Sequence, residues 1–204
     1  MSRDPQALGP GAFDAIVLAG GAARRLGGMD KPGLLVGGIT LLARVLAAVD
    51  AAGVVVVVGP PRPDLPARVA CCREDPPGGG PVAAIAAGLE QVSADAVMVL
   101  AADLPHVGPA VPALLAALGA CTADAAALVD EAGRRNHLCA AWRTDSLRAA
   151  VVAVGAPQGV SMRALVASAT MIDIVDTHGW GRDCDTWDDV AAAERPKGPH
   201  SERA

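Results

Sequence analysis

Apolar residues in this chain come in short unbroken runs separated by polar, glycine- and proline-rich turns. Residues 15–19 (AIVLA), 54–58 (VVVVV) and 96–102 (AVMVLAA) are the clearest. Each is too short for a helix, and none alternates polar with apolar. Such runs suit parallel strands covered on both faces. Further strands are expected at 68–72, 125–129, 138–142 and 171–175, with a turn at 131–135. Helical spacing appears between them. Over 40–52, Leu41, Leu42, Val45, Leu46 and Val49 fall on one face, with Thr40 as N-cap and Gly53 as stop. Helices are also expected at 82–92, 109–118, 145–154 (capped by Thr144 or Asp145), 161–167 and 187–193. Residues 60–66 form a proline-rich surface connection. Strands alternating with helices predict an α/β fold: a single doubly wound, mostly parallel sheet with helices on both faces.

Composition narrows this picture. A chain of 204 residues fits one domain, able to bury roughly 70% of its unfolded surface. Residues 1–12 read as a flexible leader, 13–195 as the domain, and 196–204 as a polar, disordered tail. The net charge of −5 is not that of a general nucleic-acid binder, so no nucleic-acid partner is expected. No apolar run reaches membrane-spanning length, so no membrane partner is expected either. Five cysteines, an odd number without a C-x-x-C spacing, read as reduced thiols of a cytoplasmic protein.

The chemistry concentrates in FDAIVLAGGAARRLGGMDK, residues 13–31. A buried strand here runs into a turn carrying Gly20, Gly21, Gly27 and Gly28, the pair Arg24 and Arg25, and Asp30–Lys31. Glycines let backbone N–H groups approach a polyphosphate, and fixed cations offset its charge. The loop is neither a Walker A sequence nor a dinucleotide G-x-G-x-x-G; the second strand ends in Gly59-Pro60-Pro61, with no acidic residue. Ligands of doubly wound sheets collect at the carboxyl ends of the strands. Residues 20–31, Asp75 and Asp103 each follow a strand, so they are expected to face one crevice.

The string L-A-G-G, three residues, Arg25-Leu26-Gly27, then Asp30-Lys31 resembles the signature loop of the MobA-like nucleotidyltransferases, the family that includes molybdenum cofactor guanylyltransferases. Asp75 with Gly78-Gly79-Gly80-Pro81, Ala102-Asp103-Leu104-Pro105, His137-Leu138-Cys139-Ala140 and Asp183-Cys184-Asp185-Thr186 are similar to later motifs of that family, in the same order. The resemblance implies a Rossmann-like nucleotidyltransferase fold. It also implies transfer of GMP from GTP to the phosphate of a molybdopterin-type acceptor, with Mg²⁺ as cofactor and pyrophosphate released. Other cofactor-biosynthesis or acceptor proteins are further partners it suggests. The Asp-x-Asp-Thr ending is closer to related cytidylyltransferases. CTP, or another phosphorylated acceptor such as a sugar phosphate or 2-phospholactate, is therefore an alternative, as is a non-catalytic nucleotide or cofactor carrier.

On this reading Arg25 and Lys31 serve the triphosphate, and Leu18, Ala19, Gly20 and Gly21 line the nucleotide. Asp75 and Gly80 receive base and ribose, Asp103 is a catalytic metal ligand, and Asp185 is a second one, with Asp183 as its competitor. Blander readings stand beside these: Asp103 as a helix N-cap, Thr186 as a cap for the last helix, residues 74–81 as an ordinary turn, and His137 as a structural histidine. No side chain stands out as a general base. A phosphate monoester needs none, because its second pKa is about 6.

Overall fold

In the computed structural model, residues 13–20 and 29–194 are described. Strand β1 (Phe13–Leu18) is followed by a 3-10 turn (Lys31–Gly33), a hairpin of β2 (Leu35–Val36) and β3 (Ile39–Thr40), and helix α1 (Leu41–Ala48). Then come β4 (Val55–Val58), β5 (Val69–Cys72), α2 (Pro81–Leu89), β6 (Ala96–Ala101) and α3 (Ala110–Gly119). The remainder is β7 (Ala125–Val129), β8 (Arg135–Arg143), α4 (Thr144–Val154), α5 (Met162–Leu165), β9 (Met171–Val175) and α6 (Trp187–Glu194). Seven strands form one sheet in the order β5-β4-β1-β6-β8-β7-β9. Every pairing is parallel except those of β8, which runs antiparallel to both β6 and β7. The α/β fold with a mostly parallel sheet is therefore the one expected.

The apolar runs work as two-sided strands. Ala15 and Val17 of β1 and Val55 and Val57 of β4 enter one core with α1 and α3. Ile16, Leu18, Val56 and Val58 enter the opposite core with α2, α4 and α5. Helix α2 lies so close to β1 that a Cβ on Gly88 would stand 2.7 Å from the Ile16 side chain. The chain winds outward from β1 through β4 to β5, then crosses back to place β6 on the other side of β1. The sheet's switch point is thus the cleft between the carboxyl ends of β1 and β6, where such folds hold ligands.

Several local expectations change. Residues 35–40 form a hairpin whose turn is Gly37-Gly38, both at positive φ (57° and 79°); a Gly-Gly pair suits such a two-residue turn. Strand β8 begins three residues earlier than expected, at Arg135, because Arg135 and Asn136 continue the ladder opposite Val129 and Leu128 beyond a bulge in β8, where the register jumps from Ala140 opposite Ala127 to Asn136 opposite Leu128. Thr40 caps α1, accepting the Ala43 N–H at 3.1 Å. Neither Thr144 nor Asp145 caps α4: Thr144 is its first residue, and its hydroxyl donates to the Ala94 carbonyl instead.

At the amino end of the sheet, buried Asp14 gathers three backbone donors. Its Oδ1 accepts the Val54 N–H, and its Oδ2 accepts those of Ser93 and Ala94, all within 2.8 Å. This carboxylate joins the start of β4 to the turn before β6. Asp14→Ala leaves three donors without their acceptor and is expected to lower unfolding free energy by roughly 3 kcal/mol, measured by urea denaturation.

Candidate functional site

Three chain segments meet at the switch point. The first leaves β1: the Leu18 carbonyl accepts the Ala102 N–H at 3.0 Å, and the Ala19 N–H donates to the Val58 carbonyl at 2.8 Å. Gly59 packs against this exit, where a Cβ would stand 2.8 Å from the Ala19 carbonyl carbon. The chain returns at Lys31, the first residue of the 3-10 turn. The second segment is Ala102-Asp103, directly after β6. The third follows β9 and carries Asp183 and Asp185. It is tied to the second by the Cys184 N–H, which donates to the Asp103 carbonyl at 3.2 Å.

The side chains complete the convergence. The Lys31 ammonium donates to Asp103 Oδ2 and, at 2.6 Å, to Asp185 Oδ1. Asp103, Asp183 and Asp185 each bring a carboxylate oxygen within 4.8 Å of the others. Asp103 Oδ1 is buried and has no hydrogen-bond partner among the described residues. Thus Lys31, Asp103 and Asp185 come together as the sequence suggests. Asp103 is not a helix cap, since α3 starts only at Ala110. Thr186 does cap α6, its hydroxyl accepting the Asp189 N–H while Asp189 accepts from the Thr186 backbone and hydroxyl.

Burial and mutual repulsion shape the protonation of this cluster. Burial works against the Lys31 ammonium, yet its hydrogen bonds to Asp103 and Asp185 outweigh that and raise its pKa. Asp183 is pushed up, first by dehydration of its carboxyl group and then by repulsion from Asp185 and Asp103, which Lys31 offsets only in part. Among the described residues, Lys31 is the cation that these carboxylates meet. An all-oxygen donor set with a buried, unpartnered oxygen suits a hard divalent cation.

The other expected site residues lie nearby or outside the described chain. Leu18 and Ala19 are buried at the end of β1, and Gly20 is exposed just beyond. Gly21, Arg24 and Arg25 lie outside the described residues. Asp75 and Gly80 belong to the loop between β5 and α2, outside the Lys31 cluster. Gly80 precedes α2 with φ at 91°, a left-handed conformation that favours glycine. Gly79 is packed so tightly that a Cβ would meet that of Ala83 at 2.8 Å. Asp75 is exposed, and its carbonyl accepts from Gln158 at 3.3 Å.

Two features were not anticipated. Asp30 is paired with Arg62, from the proline-rich connection after β4. Their separation of 32 positions left no local signal. In addition, an open cavity of about 910 Å³ adjoins Asp183, lined among others by Arg135, Asn136, His137, His178 and Arg182. His137 is half-buried there with an unpartnered Nδ1. Burial, and then the Arg135 cation, hold its pKa below the usual histidine value. All five cysteines are free; burial pushes Cys139 up to about 12 and Cys184 up to about 11. No helix among the described residues is long and apolar enough to cross a membrane.

The raised Asp183 pKa has a consequence for stability. The folded chain keeps this proton to higher pH than the unfolded chain. Stability therefore falls as pH rises from the ordinary carboxylate value through the raised one, and the loss is complete above it. Asp183→Asn is expected to melt at a higher temperature than the wild type at neutral pH in metal-free buffer. The difference should vanish below about pH 3, as read by calorimetry across the pH range.

Comparison with known proteins agrees with this geometry. The profile of the MobA-like NTP transferase domain matches residues 15–172. The chain is 41% identical over 135 residues to the molybdenum cofactor guanylyltransferase of Acidiphilium cryptum, an alignment spanning 63% of this chain and 65% of that protein. It is 35% identical over 169 residues to the probable molybdenum cofactor guanylyltransferase of Mycobacterium tuberculosis, covering 78% of this chain and 82% of that one. Among solved structures, molybdopterin-guanine dinucleotide biosynthesis protein A of Archaeoglobus fulgidus shares the fold, with a TM-score of 0.66 at 22% identity over 89% of this chain and 96% of that one. A matched profile across most of the chain, with the converged Lys31 cluster at its switch point, makes this protein a member of the MobA-like NTP transferase family.

Proposed function

We propose that this protein transfers GMP from GTP to the phosphate of a molybdopterin-type acceptor, releasing pyrophosphate, with Mg²⁺ as its metal. The observation that carries this reading is the Lys31 ammonium set among three carboxylates at the sheet's switch point. An acceptor phosphate oxygen forms a bond to the α-phosphorus of GTP. The bond from that phosphorus to the oxygen bridging to the β-phosphate breaks, and its electron pair leaves with pyrophosphate. The acceptor is already largely ionised at neutral pH, its second pKa being about 6. The protein's work is therefore to position the reactants and offset charge, not to remove a proton.

Each residue then has a task. The backbone at Leu18, Ala19 and Gly20 borders the nucleotide, as does Gly21 beyond the described residues. Asp75 and Gly80 serve base and ribose. Lys31, with Arg25 from the same loop, lends positive charge to the phosphates as charge shifts onto the leaving group. Asp103 and Asp185 would hold Mg²⁺, which when bound supplies further positive charge to those phosphates. The cavity beside Asp183 is the acceptor's place on this reading: it is open, adjoins the cluster, and offers the cation Arg182 to a phosphate, while Arg135 at its wall is paired with Asp173. A second reading, the same transfer with CTP, is favoured by one observation, the Asp183-Cys184-Asp185-Thr186 ending.

Purified protein incubated with Mg²⁺, molybdopterin and each nucleoside triphosphate in turn should release pyrophosphate fastest with GTP. Preference for CTP would select the second reading, and no release with any nucleotide would end both. Lys31→Met and Asp103→Asn should each lower kcat by roughly 10²–10³-fold. Lys31→Met should also bind Mn²⁺ more tightly than the wild type in the absence of nucleotide, because the ammonium no longer competes for Asp103 and Asp185. Electron paramagnetic resonance of free Mn²⁺ reads that change directly; unchanged or weaker binding would contradict the cation assignment.

A further inference from the structure

Arg62 lies outside every motif discussed so far, yet its side chain is only 15% exposed. It stands in the segment Pro60-Pro61-Arg62-Pro63, whose prolines restrict the backbone around it. Its guanidinium takes both oxygens of Asp30: Nη1 donates to Oδ2 at 2.8 Å, and Nη2 donates to Oδ1. Two parallel bonds of this kind fix orientation as well as distance. Among the described residues Arg62 Nε is buried without a partner, and the fork to Asp30 supplies the hydrogen bonds of this guanidinium.

Asp30 passes that constraint on. Its carbonyl accepts the Gly33 N–H at 3.0 Å and closes the 3-10 turn, while the Lys31 carbonyl accepts the Leu34 N–H at 3.1 Å. Pro32 is buried beneath the turn. The carboxylate fills the space above Gly33, where a Cβ would come 2.5 Å from Asp30 Oδ2. A side chain at 33 would therefore push the Asp30 carboxylate out of its place opposite Arg62. Lys31 follows Asp30 directly. A continuous set of contacts runs from the end of β4 through Arg62 and Asp30 to the ammonium that meets Asp103 and Asp185.

We propose that Arg62 is a positioning residue: through its two-pronged pair with Asp30 it sets the Lys31 turn, and so the placement of the Lys31 ammonium against Asp103 and Asp185. The inference rests on the reading of Lys31 as the phosphate-facing cation, but its physical content is tested without substrate. An ordinary exposed ion pair contributes little and orients nothing beyond itself. This one differs because its basic partner is mostly buried, is held by a proline-rich segment, and grips the residue next to the lysine.

The chain has two lysines, Lys31 and Lys197. Trace acetylation of the full-length protein by acetic anhydride, followed by peptide mass spectrometry, gives the reactivity of Lys31 with Lys197 as the internal measure of reagent dose. Lys31 should react slowly in the wild type. Arg62→Ala and Asp30→Asn should each raise its rate by roughly tenfold, the equivalent of one charge-assisted bond. The double variant should raise it no further, and Arg62→Lys, which keeps the charge and loses the fork, should fall between. With GTP, Mg²⁺ and acceptor, Arg62→Ala should lower kcat more than it raises KM. Unchanged Lys31 reactivity in Arg62→Ala would overturn the proposal. So would increased reactivity that merely tracks a lower melting temperature, and so would a raised KM for GTP at unchanged kcat, which marks a direct nucleotide contact. If the wild type turns over no nucleotide, the proposed function fails while the acetylation series still decides the role of Arg62.

Discussion

The structure depends on one ammonium group. Lys31 stands between Asp103 and Asp185, residues 72 and 154 positions further along the chain, and no local preference of the backbone brings such groups together. A partly buried ammonium is stable only when its lost hydration is replaced by anionic partners, and crowded carboxylates are tolerable only with a cation among them. Each half of the cluster makes the other possible. The sheet makes both possible, because the crossover that sets β6 beside β1 brings the exit of one strand against the exit of the other.

The two ends of that sheet solve different problems. At the amino end, Asp14 is buried, but it accepts three backbone N–H groups from fixed turns, so its charge is met by the protein itself and the region is closed. At the carboxyl end, Asp103 keeps one oxygen unpartnered, and Asp183 is driven toward its protonated form by dehydration and by its neighbours. That contrast between a carboxylate met by backbone donors and a carboxylate group with a proton-favouring, repelled member marks the carboxyl end as the place for a ligand.

Much of this was legible in the sequence wherever the physics is local. The valine run of β4 and the apolar run of β6 could be only two-sided strands, and Thr40 could be read as a cap because the bond it makes lies three residues away. Residues that follow strands in a doubly wound sheet gather at one end, which brought Lys31 and Asp103 into one expected crevice. Contacts between distant, individually ordinary residues were not legible. Nothing in Pro60-Pro61-Arg62-Pro63 announces a partner 32 positions earlier. The early start of β8 depends on a bulge within it that resets its register against β7. Thr144, a plausible cap by type, is buried and turned to the Ala94 carbonyl, because the strand before it delivers it against the turn that precedes β6.

The acidity of the chain, with its net charge of −5, then fits the polyphosphate chemistry proposed for it. A bare triphosphate would meet repulsion from Asp103, Asp183 and Asp185, because the cation they meet among the described residues, Lys31, is already engaged by two of them. A triphosphate carrying its own divalent cation meets the opposite situation. Asp103 and Asp185 would hold such a cation, and Lys31, no longer engaged by them, would be left to face the phosphates. Discrimination against the metal-free nucleotide would then arise from the same three carboxylates that hold Lys31 beforehand, so a cluster that burdens the empty protein becomes the source of its selectivity. Such an arrangement works only if Lys31 changes partners without losing its place, which requires its backbone to be held by something other than the carboxylates. Asp30, gripped by Arg62 from the far side of the turn, is in position to do that.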